Sequence, residues 1–426
     1  MAELTLDRAT LGATGLDRRE AVLDTSVAPK RNIEPDPLQV ASAARITFSL
    51  VDCPEALRAL GPDWDALFTE AGRPEQVFQS FAWNWHWCRH YVASGRLHRG
   101  PRLAVVAGHR KGRLVLVMPL ITERVAGLKQ LAWMGAPVSQ YGDVLASPDA
   151  ADLATLTAAW TYAVAETGAD LAKLSKVRAD AVVTPLLNAL GAAITATEEA
   201  PYLDFTQSPD HAAFEARLNA KGRKNRRRHM RRLLERGPVT FEQHAGNEPA
   251  SRLAGYAILL KRAWLKSRDR ISLAMADDRF LQFFADVAAG GQHAVPCKVL
   301  GLRTANEMGA LQIVLDCKGH RFLHVAVYVA KHEKCGVGGL LLEHTIADCF
   351  KDKLQRLDLL APKHEYKMEF ADGSIAVNDH AVALSRGGRF YAQSYLSVRR
   401  RLKAIAEAMP APARRALATA IAIVKR

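Results

Sequence analysis

Tyr328-Val-Ala-Lys-His-Glu-Lys-Cys-Gly-Val-Gly-Gly-Leu-Leu-Leu342 is the most informative local pattern in the chain. It leaves an apolar run of strand character (residues 322–329), crosses three glycines and enters an apolar helix predicted over 338–350. A helix that starts on Gly336, Gly338 and Gly339 has no capping side chain for its first amides. Those N–H groups stay open at the positive end of the helix dipole, and without a Cβ the backbone can be approached closely. The stretch therefore predicts a seat for phosphate or pyrophosphate, although a plain strand-to-helix turn has the same pattern. It is not a P-loop, because the Gly-Lys-Ser/Thr ending is missing, and Gly-x-Gly-x-x-Gly cannot be placed on it.

Downstream runs Asp358-Leu-Leu-Ala-Pro-Lys-His-Glu-Tyr-Lys-Met-Glu-Phe-Ala-Asp372. A strand over 357–360 would leave Tyr366-Lys367 just beyond its C-terminal end, where open α/β sheets place ligands. Upstream, residues 239–243 read as a strand, 250–268 and 279–289 as helices, and 298–303, 311–315 and 322–329 as three strands. The same order precedes residue 206. A strand at 46–51 is followed by two helices, the second capped by Ser80, then by strands at 103–107, 114–121 and 128–134. Helix 149–166, strand 171–174, helix 181–190 and strand 202–205 complete that half. The recurrence predicts α/β architecture with mixed sheets in two similar domains side by side.

The chain has 426 residues, room for two or three domains, and 49% hydrophobic with 24% charged residues is a globular mixture. No stretch reaches the roughly 18 apolar residues of a membrane span. Six scattered cysteines (Cys53, Cys88, Cys297, Cys317, Cys335, Cys349) lack disulfide or zinc spacing, which predicts reduced thiols, no metal site and a cytoplasmic location. The net charge of +14 is local: residues 217–236 hold ten Lys or Arg and one acid, and 396–426 hold eight and one. The rest of the chain is close to neutral, so an anionic partner would be met at patches.

Taken together, the Gly-rich turn, Asp358-Leu-Leu with Tyr366-Lys367, the aromatic Phe78-Gln-Ser-Phe-Ala-Trp83 and the basic 221–233 segment before Gly237-Pro-Val-Thr-Phe241 resemble a known superfamily. It is the GNAT acyltransferases, in the branch with tandem GNAT-like domains typified by the cellulose-biosynthesis protein CelD. The likeness covers about 46–395. It divides the chain into a flexible leader (1–44), an N-terminal GNAT-like domain on the acceptor side (45–206), a C-terminal GNAT domain (207–395) and a basic helical tail (396–426). The resemblance implies acetyl- or another acyl-coenzyme A as donor, with no metal. Its pyrophosphate would sit at Lys334, Cys335, Gly336, Val337, Gly338 and Gly339, and its pantetheine along Val327, Tyr328 and Val329, with Lys367 nearby. Tyr366 would protonate the leaving thiolate after an amine or hydroxyl attacks the thioester.

Glu333 departs from the superfamily, which usually has Gln or Arg there; a carboxylate beside pyrophosphate needs Lys331 or Lys334 to offset it. For a general base the sequence offers His324, His332, Glu333 and Glu343, none singled out by spacing; His332 and Glu343 are the candidates carried forward. Cys335 could act as a nucleophile only with a partner base that cannot be assigned. Arg223 and Arg227 of the basic segment, with Trp83 and Tyr141 of the first half, are the candidate contacts to an anionic small-molecule or glycan acceptor of the cell envelope. A solvated basic face and packed aromatic residues are the plain alternatives. Nucleic acid is not expected as a partner unless the chain is an aminoacyltransferase of the Fem type, using charged tRNA. A degenerate, non-catalytic scaffold is a third reading. The tail could touch an anionic membrane surface peripherally.

Overall fold

A computed structural model describes residues 46–92, 100–268, 270 and 272–391. The expected leader (1–44) and basic tail (396–426) lie outside these residues. The first half opens with β1 (Ile46–Val51), the helices Pro54–Ala59 and Gly61–Ala71, and the aromatic helix Phe81–Tyr91. Next come β2 (Arg102–Leu103), β3 (Val105–Arg110), β4 (Arg113–Met118), β5 (Leu120–Val125) and β6 (Leu128–Trp133). The β3–β4 turn is only Lys111-Gly112, both at positive φ (51° and 78°), as a two-residue hairpin requires. Gly108 remains inside β3, where a Cβ would crowd Phe48 and Leu116.

The single strand expected over 114–121 breaks at Pro119, which has no N–H to donate to a ladder. On one side of the break β1, β3 and β4 join the short β7 (Leu145–Ala146); on the other, β5 and β6 enter a second sheet. Helix Leu153–Thr167, β8 (Leu171–Arg178), helix Thr184–Ala189 and β9 (Ala193–Asp204) follow. After the basic helix Ala220–Leu234 the order repeats. The second half has β10 (Val239–His244), helices Glu248–Ser267 and Asp278–Ala289, β11 (Cys297–Thr304), β12 (Glu307–Cys317) and β13 (His320–Tyr328). It ends with the turn helix Val337–Lys351, β14 (Arg356–Asp358), the short helix Glu365–Met368 and β15 (Gly373–Ala383).

The halves share one mixed sheet of eleven strands, in the order β10-β11-β12-β13-β14-β9-β15-β8-β6-β5-β2. β9, the last strand of the first half, lies between β14 and β15; β15 lies between β9 and β8. Each half thus lends its final strand to the junction. Side chains alternate across β11 to β13. Val299, Leu311, Ile313 and Val325 pack with the helices of 248–289, while Leu302, Ala310, Val314 and Leu323 pack with the turn helix.

One local feature prepares the site. β13 runs parallel to β14 only where His320, Arg321 and Phe322 face Arg356, Leu357 and Asp358. A register shift between Ile313 and Val314 leaves His324 as the extra residue of a bulge, and bulges bend a strand. Residues 323–328 therefore have no strand partner on the β14 side, and a wedge opens between the two strands.

Candidate active site

The wedge leads to the Gly-rich turn. From Val329 the chain makes a 3₁₀ segment, Ala330–Cys335, and Gly336 then takes the left-handed conformation (φ 61°, ψ 30°) before the turn helix begins at Val337. Gly336 needs to be glycine twice over: for its φ, and because a Cβ would collide with the imidazole of His229. No side chain caps the helix, so its first amides at Val337, Gly338 and Gly339 have no capping partner. A Cβ on Gly338 would press on Tyr328, whereas one on Gly339 would meet open space. Cys335 and Val337 are buried in the core; Lys334 is exposed.

Glu333 is neutralised, but by neither neighbouring lysine. The Arg268 guanidinium donates to its carboxylate at 2.7 Å and the Tyr328 hydroxyl donates at 2.8 Å, both holding Glu333 below the usual carboxylate range. Arg268 also lies over the Trp264 ring, 4.3 Å from its centroid. Lys331 pairs instead with Glu307. The offsetting charge comes from the end of a helix 65 residues earlier in the chain.

Two ammonium groups, Lys261 half-buried and Lys367 buried, border the wedge. Lys261 Nζ donates to the Ala326 carbonyl of β13 at 2.9 Å, and Lys367 Nζ donates to the Leu360 and Pro362 carbonyls beyond β14 at 2.7 and 2.8 Å. Among the described residues neither forms an ion pair with a carboxylate. Burial brings both down to about 8; Arg268 adds to the shift at Lys261, while at Lys367 the pull of Asp358 opposes it. Tyr366, next to Lys367, is 46% exposed and stacks on His364, and loss of solvent around it pushes its hydroxyl up to about 12. It thus remains a protonated donor across the physiological range.

The other residues singled out by the sequence are engaged elsewhere. Glu343 accepts from Arg226 Nε at 2.7 Å, facing the basic helix. His332 is buried between Arg236 (3.3 Å) and Glu307 (3.4 Å), away from the wedge. Arg223 folds back onto the carbonyls of Glu215, Ala216 and Leu218, capping the preceding helix; Arg227 is exposed. Trp83 is fully buried and donates its indole N–H to Ser139 at 2.9 Å. Tyr141 is buried with its hydroxyl on Asp358 at 2.9 Å, and Arg178 reaches the same carboxylate at 3.1 Å. This buried network joins the halves. His324, at the bulge, has its Nε2 2.6 Å from the Val138 carbonyl and packs on Phe78, Trp83 and Phe284; burial brings it down to about 4, so it is neutral.

Lys261 and Arg268 were not legible as site residues. They sit on a helix whose amphipathic pattern accounts for them as solvated cations, and only the tertiary fold brings them to the turn and wedge. Among the described residues no group of three or more His, Cys, Asp or Glu could hold a metal ion, and no helix is long and apolar enough to cross a membrane.

Residues 220–368 match the family model of an acetyltransferase (GNAT) domain, so this segment carries a GNAT-type acyltransferase domain. Among solved structures, the fold is similar to that of FemX, with a TM-score of 0.54 at 9% identity over 78% of this chain and 98% of that one. L-PGS from Bacillus licheniformis aligns with a TM-score of 0.49 at 12% identity over 80% and 96% of the two chains. A tandem GNAT protein from the clavulanic acid biosynthesis pathway aligns with a TM-score of 0.45 at 13% identity over 79% and 98%. No curated protein matches the chain in sequence.

Proposed function

We propose that the chain is a cytoplasmic acyltransferase of the CelD-like branch, taking an acyl group from acyl-coenzyme A to an amine or hydroxyl. The donor pyrophosphate would rest on the amides of Val337, Gly338 and Gly339, and its thioester arm would follow the β13 edge into the wedge. The observation that carries the reading is the pairing of β13 with β14 over three residues only, directly before an uncapped helix start. A seat for phosphate and a slot for a linear amide chain are thereby joined end to end. The nucleophile would attack the thioester carbonyl; the new C–N or C–O bond forms, the C–S bond breaks, and the Tyr366 hydroxyl gives its proton to the departing sulfur. With Glu343 and His332 both engaged, the proton lost by the nucleophile would go to water. The acceptor class, a glycan or other envelope-related molecule, rests on the resemblance alone.

Calorimetric titration with acetyl-coenzyme A tests the donor. Gly339→Glu is the blocking variant, because its side chain fills the seat without a clash in the free protein. One-site binding in the parent, weakened at least about a hundredfold in the variant (some 2.7 kcal/mol), is the expected outcome. No binding to the parent, or equal binding to both, would remove coenzyme A from the turn; binding of charged tRNA in clear preference to the same tRNA uncharged would favour aminoacyl transfer.

A further inference from the structure

The basic helix divides cleanly into two faces. Lys221, Lys224, Arg227, Arg228, Arg231 and Arg232 are all exposed, and among the described residues none forms an ion pair or side-chain hydrogen bond. At 100° per residue these six fall within an arc of about 140°, along about 16 Å of helix axis. The opposite face is occupied: Leu233 is in the core, Arg226 holds Glu343 and lies over Phe370, and His229 abuts Gly336. The acid of the segment, Glu235, comes after the last helical residue. An ordinary solvated helix face interleaves acids with bases to limit self-repulsion; this one concentrates a single sign on one side.

We propose that this stripe docks the phosphodiester backbone of double-helical RNA. The proposal goes beyond the acyl-coenzyme A reading and stands independently of it. Four of the six cations are arginines, whose planar guanidinium matches phosphate oxygens in pairs. A stripe of this length exceeds what the few phosphates of a coenzyme A can engage. Bilayer insertion needs an outward apolar face, and here the buried Leu233 and half-buried Met230 point into the protein, leaving Leu234 as the one exposed large apolar side chain on the helix. A DNA-reading helix must protrude into the major groove, whereas this helix is half-sunk against the turn helix and offers a surface only. The wide, shallow minor groove of A-form RNA, flanked by phosphates, is met by such surfaces without base readout.

Fluorescence anisotropy of a labelled RNA hairpin against the full chain, from 50 to 200 mM KCl, measures the docking. Six phosphate contacts predict a slope of log K against log salt of about −4 to −5. Changing Arg227, Arg228, Arg231 and Arg232 together to Gln should cut the slope to about −1 to −2 and weaken binding at least about a hundredfold at low salt. The four-Lys variant, which keeps the charge, should retain the slope and most of the affinity. Gly339→Glu should bind RNA like the parent, so failure at the donor seat and failure at the stripe read out separately. Unchanged binding by the four-Gln variant, or tighter binding of a DNA duplex of the same sequence or of anionic vesicles, would overturn the proposal.

Discussion

The two halves build the same strand-to-helix connection and finish it in opposite ways. In the first half, helix Leu153–Thr167 is capped by Asp152, whose carboxylate accepts from the Thr155 amide at 2.9 Å and the Thr155 hydroxyl at 2.7 Å. The corresponding wedge is filled by the chain itself: the Gly142 amide donates to the Lys176 carbonyl at 3.0 Å, and Lys176 Nζ donates to Gln140 Oε1 at 2.9 Å. In the second half the helix starts on a left-handed glycine with no cap, and the wedge is bordered by two ammonium groups. A carboxylate placed where an anion would bind removes both the open amides and the favourable potential. A duplicated architecture thus caps one helix start with its own carboxylate and leaves the other uncapped.

The largest effect is expected where the halves meet. Asp358 is buried at the end of β14 and is held by Tyr141 and Arg178 of the first half. Asp358→Ala would leave the Arg178 charge buried with only Asp180 and the more distant Glu75, and should cost about 3–5 kcal/mol of stability in denaturant unfolding. Because β9 and β15 are exchanged across the junction, both halves should still unfold in one transition. Two resolved transitions would mean that the comparison concerns two separate domains, not one interleaved unit.

Much of this contrast can be read from the sequence. The glycines at 336, 338 and 339, the missing cap and the recurrence of element order need only local rules, and the structure places the turn helix within a residue of the expected start. The junction strands were not legible. β9 begins at Ala193, nine residues before the strand expected at 202, and β15 has no apolar run to announce it. Both are polar and half-exposed along much of their length, because their ladders are satisfied by strands from the other half and neither needs a continuous apolar face. The same non-locality hides Arg268 and Lys261, which the sequence shows only as cations on an amphipathic helix.

A smaller and strictly local effect would sharpen the contrast between the helix starts. Asp152→Ala opens the first-half amides at a cost of about 1 kcal/mol, the usual value of an N-cap carboxylate. Thermal unfolding should show the loss. Calorimetry should still give one acetyl-coenzyme A site per chain, since the filled first-half wedge leaves no slot beside the opened amides. A second site would show that the cap alone had closed the first half.

The smallest effect concerns the acid that the open half retains. Glu333 and Arg268 are both exposed enough that their ion pair contributes little to stability, within about 1 kcal/mol. The pair nevertheless lies on the Gly-rich turn, where it ties up a guanidinium and keeps a negative charge close to the helix start. Glu333→Gln preserves the shape, still accepts from the Tyr328 hydroxyl, and leaves the Arg268 charge uncompensated beside the turn while its 3.0 Å hydrogen bond to the Tyr328 hydroxyl holds it in place. Affinity for acetyl-coenzyme A should therefore rise, by about threefold at low salt and less at 0.15 M and above, as screening shortens the reach of both charges. Arg268→Gln should move it the other way, because Glu333 would then be left uncompensated at the turn. If Glu333→Gln weakened binding instead, the carboxylate would be holding Tyr328 and Arg268 in the geometry the donor needs, and the departure at this position would be part of the seat.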